Sequence, residues 1–191
     1  NTTTDAAAPV VETTFSTTQG QPFSEPPVLT SEDGVLATTF DAATTTFDVA
    51  GTQVQGMSYA GQLLGPTMVV SPGDTIRIEL KNALDEETNF HTHGLHVSPE
   101  GDSDNVLRVM EPDSDNAIEI VLPQDVAPGT YWYHAHLHGL TEAQVFSGLA
   151  GALVVDGLTE RLPAALQDVP EHLIGLKDLQ LDDDGAILTK D

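Results

Sequence analysis

The sequence predicts an all-β protein, a β-sandwich or barrel carrying one or two short helices. Three features predict it: short stretches with period-two alternation, turn-forming Gly, Pro and Asp between them, and almost no run with helical periodicity.

Residues 1–45 are rich in Thr, Ala and Pro, include Pro26-Pro27 and hold no Lys or Arg, so they read as an extended, Thr-rich acidic arm. From residue 46 the pattern becomes β. Phe47 to Ala50 and Thr52 to Tyr59 alternate as strands. Gly65-Pro66 and Pro72-Gly73-Asp74 read as turns. In Thr75 to Leu80 the apolar Ile76, Ile78 and Leu80 face one way and Thr75, Arg77 and Glu79 the other, a half-buried strand. Asn89 to Val97 is a further strand candidate. Residues 98–116, with Pro99, Gly101, Pro112 and many acids, read as a long surface loop. Ala117 to Leu122, Thr130 to His136 and Leu149 to Val155 complete the strand series. Thr141 to Phe146 is expected to form a short helical turn with Thr141 as its N-cap, and Thr159 to Leu166 a second. Residues 46–172 therefore read as one domain. Residues 173–191 read as a linker or the start of a following domain, with Leu173 to Leu181 as a strand and Asp182 to Gly185 as a turn.

Composition narrows the function. The 191 residues include 30 Asp and Glu against 6 Lys and Arg, a formal charge of -24. Such a field repels phosphate backbones and anionic lipid surfaces, which excludes nucleic-acid binding. It suits solubility, adaptation to high salt, or attraction of cations. Hydrophobic residues make up 39% of the chain, enough for a globular core, and no run approaches the roughly 18 to 20 apolar residues that span a bilayer. Cysteine is absent, which removes disulfides and every thiolate metal ligand.

Six of the seven histidines fall in two tight groups, Asn89-Phe90-His91-Thr92-His93-Gly94-Leu95-His96 and Tyr131-Trp132-Tyr133-His134-Ala135-His136-Leu137-His138-Gly139. Side chains at i and i+2 of a strand project to the same face. His91 with His93, and His134 with His136, can therefore aim four imidazoles into one pocket. Imidazole suits copper and zinc, whereas calcium and magnesium need oxygen ligands. His96 and His138 stand one step beyond the pairs and read as groups that orient a ligand from outside, as substrate-side residues or as ordinary surface histidines. His172 reads as a surface residue.

These motifs resemble the multicopper oxidase family, laccase-like enzymes. Tyr59 to Met68 (YAGQLLGPTM), Ser71-Pro72-Gly73-Asp74-Thr75, Asn89 to Leu95 (NFHTHGL), Gly129 to His136 (GTYWYHAH) and Leu149 to Asp156 (LAGALVVD) carry the likeness, which runs over residues 46–182. It is similar to the family's N-terminal domain, a Greek-key β-sandwich of cupredoxin type. The resemblance implies copper as cofactor. By position, His91 would ligate a type 2 copper, His93 and His134 one copper of a type 3 pair, and His136 the other. Two departures spare these ligands: Thr92 stands where the family often has Trp, and Glu111-Pro112-Asp113-Ser114-Asp115 makes the following loop more acidic.

The family completes its three-copper cluster with four more histidines from a C-terminal domain, which also holds the type 1 copper through a Cys. Neither occurs here, so the expectation is a fragment that binds copper but is inactive alone. The missing cupredoxin domain, or another chain, would be its partner. Dioxygen would be the electron acceptor and an unidentified reducing substrate the donor. The resemblance and the Thr-rich acidic leader point to a secreted protein, extracellular or periplasmic. An apolar face meant for the next domain would drive homo-oligomer formation. Gly94 and Gly139 are expected to let backbone approach closely, and Trp132 with the tyrosines to exclude water. Other readings stay open: a non-catalytic copper or zinc module, a structural sandwich with vestigial histidines, or a cupin-like enzyme, which Glu100 is badly placed to serve.

Overall fold

A computed structural model of the chain describes residues 23–189. The elements in chain order are β1 (Val28–Thr30), β2 (Val35–Val49), β3 (Thr52–Tyr59), β4 (Gly65–Val70), β5 (Thr75–Ala83), β6 (His91–His93), β7 (Asp115–Val121), β8 (Gly129–His134), α1 (Thr141–Ser147) and β9 (Ala150–Val155), followed by two 3-10 turns at Thr159–Arg161 and Ala164–Leu166. They form two sheets, one ordered β1-β4-β9-β8-β6 and the other β3-β2-β5-β7. The all-β expectation holds, and the sheets enclose one apolar core as a cupredoxin-type sandwich.

Alternation drives this packing. Along β5, Ile76, Ile78 and Leu80 are buried while Arg77 and Glu79 face solvent. Opposite them on β7, Ile118 and Ile120 pair with Ile78 and Ile76. Met68, Val70, Leu153 and Val155 supply the core face of the other sheet. At one end of the core four aromatic rings meet. Phe40, Tyr59, Phe90 and Tyr133 lie with centroids between 5.4 and 6.0 Å apart. The Tyr133 hydroxyl donates to the Pro66 carbonyl at 2.7 Å, which satisfies its one buried polar group.

Several elements differ from their sequence expectation. The stretch read as an arm through residue 45 supplies β1 and most of β2, and only residues 1–22 of it lie outside the described residues. The strand was obscured because its inward positions, Leu36, Phe40, Ala42 and Phe47, are spaced by Thr and Ala of low contrast. Gly65-Pro66 is not a turn but the start of β4, where a register irregularity between Gly65 and Met68 lets Pro66 sit in the sheet without donating. The strand expected over Asn89 to Val97 shrinks to His91–His93, since Gly94 turns the backbone at a φ of +92°. Leu173 to Leu181 is irregular: Ile174 and Leu176 are exposed, and the stretch gains only the isolated bridge Leu181 to Ile187. The cap of α1 is Leu140, and the Thr141 hydroxyl bonds back to the Leu137 carbonyl instead.

Tyr133 fits only because its neighbours lack side chains. A Cβ on Gly151 would lie 2.2 Å from the ring, and one on Gly65 2.5 Å from the hydroxyl. Gly151→Ala is therefore expected to overpack the core and cost about 1–3 kcal/mol in urea unfolding. Gly51→Ala, where a Cβ meets open space, should cost only its backbone strain.

Candidate metal centre

The site is built by register. β6 pairs antiparallel with β8 so that His91 faces His134, Thr92 faces Tyr133 and His93 faces Trp132. Period two then divides the residues. Phe90, Thr92, Tyr133 and Ala135 are buried toward the core, and His91, His93, Trp132 and His134 share the opposite face. His136 lies beyond the end of β8, where its backbone N–H donates to the Asn89 side-chain oxygen at 2.6 Å.

All four predicted imidazoles come together. His91, His93 and His134 each offer a nitrogen within 4.8 Å of the others. The His136 ring centroid lies 5.1 Å from that of His91 and 5.4 Å from that of His134. His93 Nδ1 and His134 Nε2 are 3.3 Å apart. Metal–imidazole bonds of roughly 2.0–2.1 Å place two nitrogens of one tetrahedral ion roughly 3.3 Å apart, so this pair has the spacing of shared ligands. Outer partners set the tautomers. The His91 Nδ1–H is held by the Asp104 carboxylate at 2.9 Å, and the His134 Nδ1–H by the Ala135 carbonyl at 2.7 Å. Each leaves its Nε2 lone pair for a cation. Among the described residues the His136 Nδ1 is buried without a hydrogen-bond partner, a cost that a neighbouring cation would help offset. The donor set thus fits a transition-metal ion of the copper or zinc kind.

Asp104 was missed from the sequence, where it was one acid among many in a loop read as surface. It is buried, and it also accepts the Thr92 backbone N–H at 2.9 Å. The only clue was its place shortly after the first pair. The groups that hydrogen-bond the paired rings from outside are Asp104 and the Ala135 carbonyl. His96 and His138 are exposed, and the His138 ring sits 6.2 Å from His136 without bonding to it. His172 stands apart, bonded to Glu25 at 2.7 Å. Trp132 does not pack the core. It stacks on His134 at 4.0 Å and lies tilted against His93 at 4.9 Å, beside the imidazoles on their own face of the sheet. Of the two glycines, a Cβ on Gly94 would meet Tyr131 at 3.1 Å, whereas Gly139 faces open space and is required by its φ of +91°.

Electrostatics favour the neutral rings. Burial lowers the His134 pKa from 6.5 to about 4, with smaller contributions from the neighbouring imidazoles. His136 is lowered too, by burial first and then by His91 and His138. A ring that resists protonation stays available to a metal in mildly acidic solution.

Comparison with known proteins agrees with this geometry. A family model described as multicopper oxidase matches residues 41–160. The chain is 41% identical over 100 residues to "Multicopper oxidase mco" of Staphylococcus haemolyticus, covering 52% of this chain and 22% of that protein. It is 34% identical over 155 residues to the cell division protein FtsP of Escherichia coli, covering 81% of this chain and 31% of that one. Among solved structures, a multicopper oxidase from Campylobacter jejuni described as a metallo-oxidase superposes with a TM-score of 0.63 at 32% identity, over 70% of this chain and 29% of that chain. The chain spans between about a fifth and a third of the length of these relatives.

The His134 shift gives a pH dependence of known sign. Its folded value lies below its unfolded value, so the unfolded chain binds more protons between about pH 4 and pH 6.5. Metal-free protein should lose stability as pH falls through that window, by about 3 kcal/mol at most from this group. His134→Gln should flatten the profile in denaturant titrations, and an unchanged slope would show that His134 is not the group responsible.

Proposed function

The chain belongs to the multicopper oxidase family, and from that premise we propose that it is the copper-binding N-terminal domain of a laccase-like oxidase. The observation that carries the proposal is the convergence of four imidazoles from β6 and the end of β8, with two tautomers already set by outer partners. Membership in the family favours copper over zinc. His91 would hold a type 2 copper, His93 and His134 one copper of a type 3 pair, and His136 the other. Copper bound there would supply one-electron redox chemistry, by which dioxygen is reduced to water while a reducing substrate is oxidised.

The chain's own residues prepare the site for that chemistry. Asp104 fixes the His91 ring through its Nδ1 and leaves Nε2 facing the site. Trp132 lies over His134 and His93 and keeps water from that side of the rings. The core face of the same strands, through Phe90 and Tyr133, holds both arms rigid.

A partner domain would complete the centre. His93 is exposed, and beside Trp132 opens an apolar hollow of about 520 Å³ lined by Leu63, Leu64, Val145, Phe146 and Leu176. A cupredoxin domain that brings further ligands, from the same polypeptide or another copy, would cover it. No helix among the described residues is long and apolar enough to cross a membrane. An extracellular or periplasmic location is part of the proposal, supported by the Thr-rich acidic composition of residues 1–45.

A second reading follows from one observation. FtsP, a relative over 81% of this chain, carries the name of a cell division protein rather than an oxidase. The fold could therefore serve here as a non-catalytic copper-binding module, and bound copper without oxygen consumption in the full-length protein would favour that.

The test is copper uptake by dialysis and elemental analysis. His91→Ala and His136→Ala are each expected to remove most of the bound copper, while His172→Ala leaves it intact. Equal loss in all three would refute the site. The chain alone should consume no oxygen with a phenol or ferrous iron as donor.

A further inference from the structure

Asn89 is 1% exposed and stands two residues before His91, yet its amide hydrogen-bonds to Val106 and His136 rather than to His91 or His93. Its amide is used at both ends. The oxygen accepts the backbone N–H of His136 at 2.6 Å, and the nitrogen donates to the Val106 carbonyl at 2.8 Å. One side chain thus ties together the first histidine arm, the tip of the second, and the loop that delivers Asp104. These links lie where the sheet has ended. The ladder between β6 and β8 stops at the His91 to His134 pair, so no strand hydrogen bond reaches His136. Val106 lies two residues after Asp104, on a loop bound to β6 by the Asp104 contacts to His91 and Thr92.

We propose that Asn89 is the positioning residue of the metal centre, setting the spacing of His136 from His91 and holding the Asp104 loop against the His91 ring. Only an amide fills the place. It offers an acceptor toward an N–H and a donor toward a carbonyl from two separate atoms without a charge, whereas a hydroxyl must serve both partners from one oxygen. Asparagine had a poor claim from the sequence, since Asn before a short strand ordinarily reads as a turn former. The inference rests on the copper-centre proposal for its consequence, but not for its geometry.

The experiment has a metal-free arm and a copper arm, with Asn82→Ala as control. Asn82 is likewise fully buried and its amide clamps Glu86, Met110 and Leu84, away from the histidine tips. In the metal-free chain, Asn89→Ala should speed hydrogen exchange at the His136 amide relative to its β8 neighbours, and Asn82→Ala should not. With Cu(II) added alone, Asn89→Ala should weaken binding by about tenfold or more and alter the copper hyperfine pattern in electron paramagnetic resonance. Asn82→Ala should lower the melting temperature but keep affinity and spectrum. Asn89→Asp retains the acceptor for His136 and should recover part of the affinity. The inference is overturned if Asn89→Ala leaves affinity and spectrum unchanged, if Asn82→Ala weakens copper equally, or if His136 exchange does not respond. A parent chain that takes up no imidazole-bound copper instead overturns the copper-centre proposal, and the exchange arm still decides whether Asn89 holds the tip.

Discussion

Everything at this centre depends on the antiparallel register of β6 against β8, which sets His91 opposite His134. A slip of one residue would turn every side chain of β6 over, burying the imidazoles and exposing Phe90 and Thr92. What prevents the slip is the other face. Phe90 and Tyr133 stack at 5.4 Å inside an aromatic cluster, and Tyr133 is locked by Pro66, Gly65 and Gly151. The apolar core therefore specifies the geometry of the polar site, and the two are alternate teeth of the same strands.

The same logic explains how much could be seen beforehand. The strands with high contrast, such as Thr75 to Leu80, were legible because Ile and Leu alternate with charged residues. His91 and His93 were legible for a related reason, since i and i+2 spacing has one geometric meaning on a strand, whereas His136 lies beyond the end of β8 and the strand rule alone does not place it. β2 was hidden because Thr and Ala differ little in polarity, so burial at Ala42 left no mark in the pattern. The Pro in β4 argued for a turn, and only a bulge against β9 made room for it.

The residues that orient the centre were invisible for a different reason. Asp104 and Asn89 act through tertiary contacts that span thirteen and forty-seven positions, to His91 and His136 respectively. No local periodicity encodes such a contact. The candidates nearest in sequence, His96 and His138, project into solvent beyond Gly94 and near Gly139, where the backbone has left the strand. Proximity along the chain was a poor guide once the strand ended, while the loop read as a solvated acidic face returned to place its one buried carboxylate at His91.

The metal-free centre is also a local conflict within an otherwise consistent fold. Four imidazoles share a small volume, burial depresses the basicity of His134, and the His136 Nδ1 is unpaired. The unpaired nitrogen costs stability at any pH and the His134 shift only as pH falls below about 6.5. A sequence selected for folding alone would replace them with apolar residues, as it does at every alternate position on these strands. A cation reverses the sign of these effects together. The lone pairs of the four unprotonated rings would hold it, with the Asp104 carboxylate balancing its charge. A metal bound there would couple stability to metal concentration by mass action.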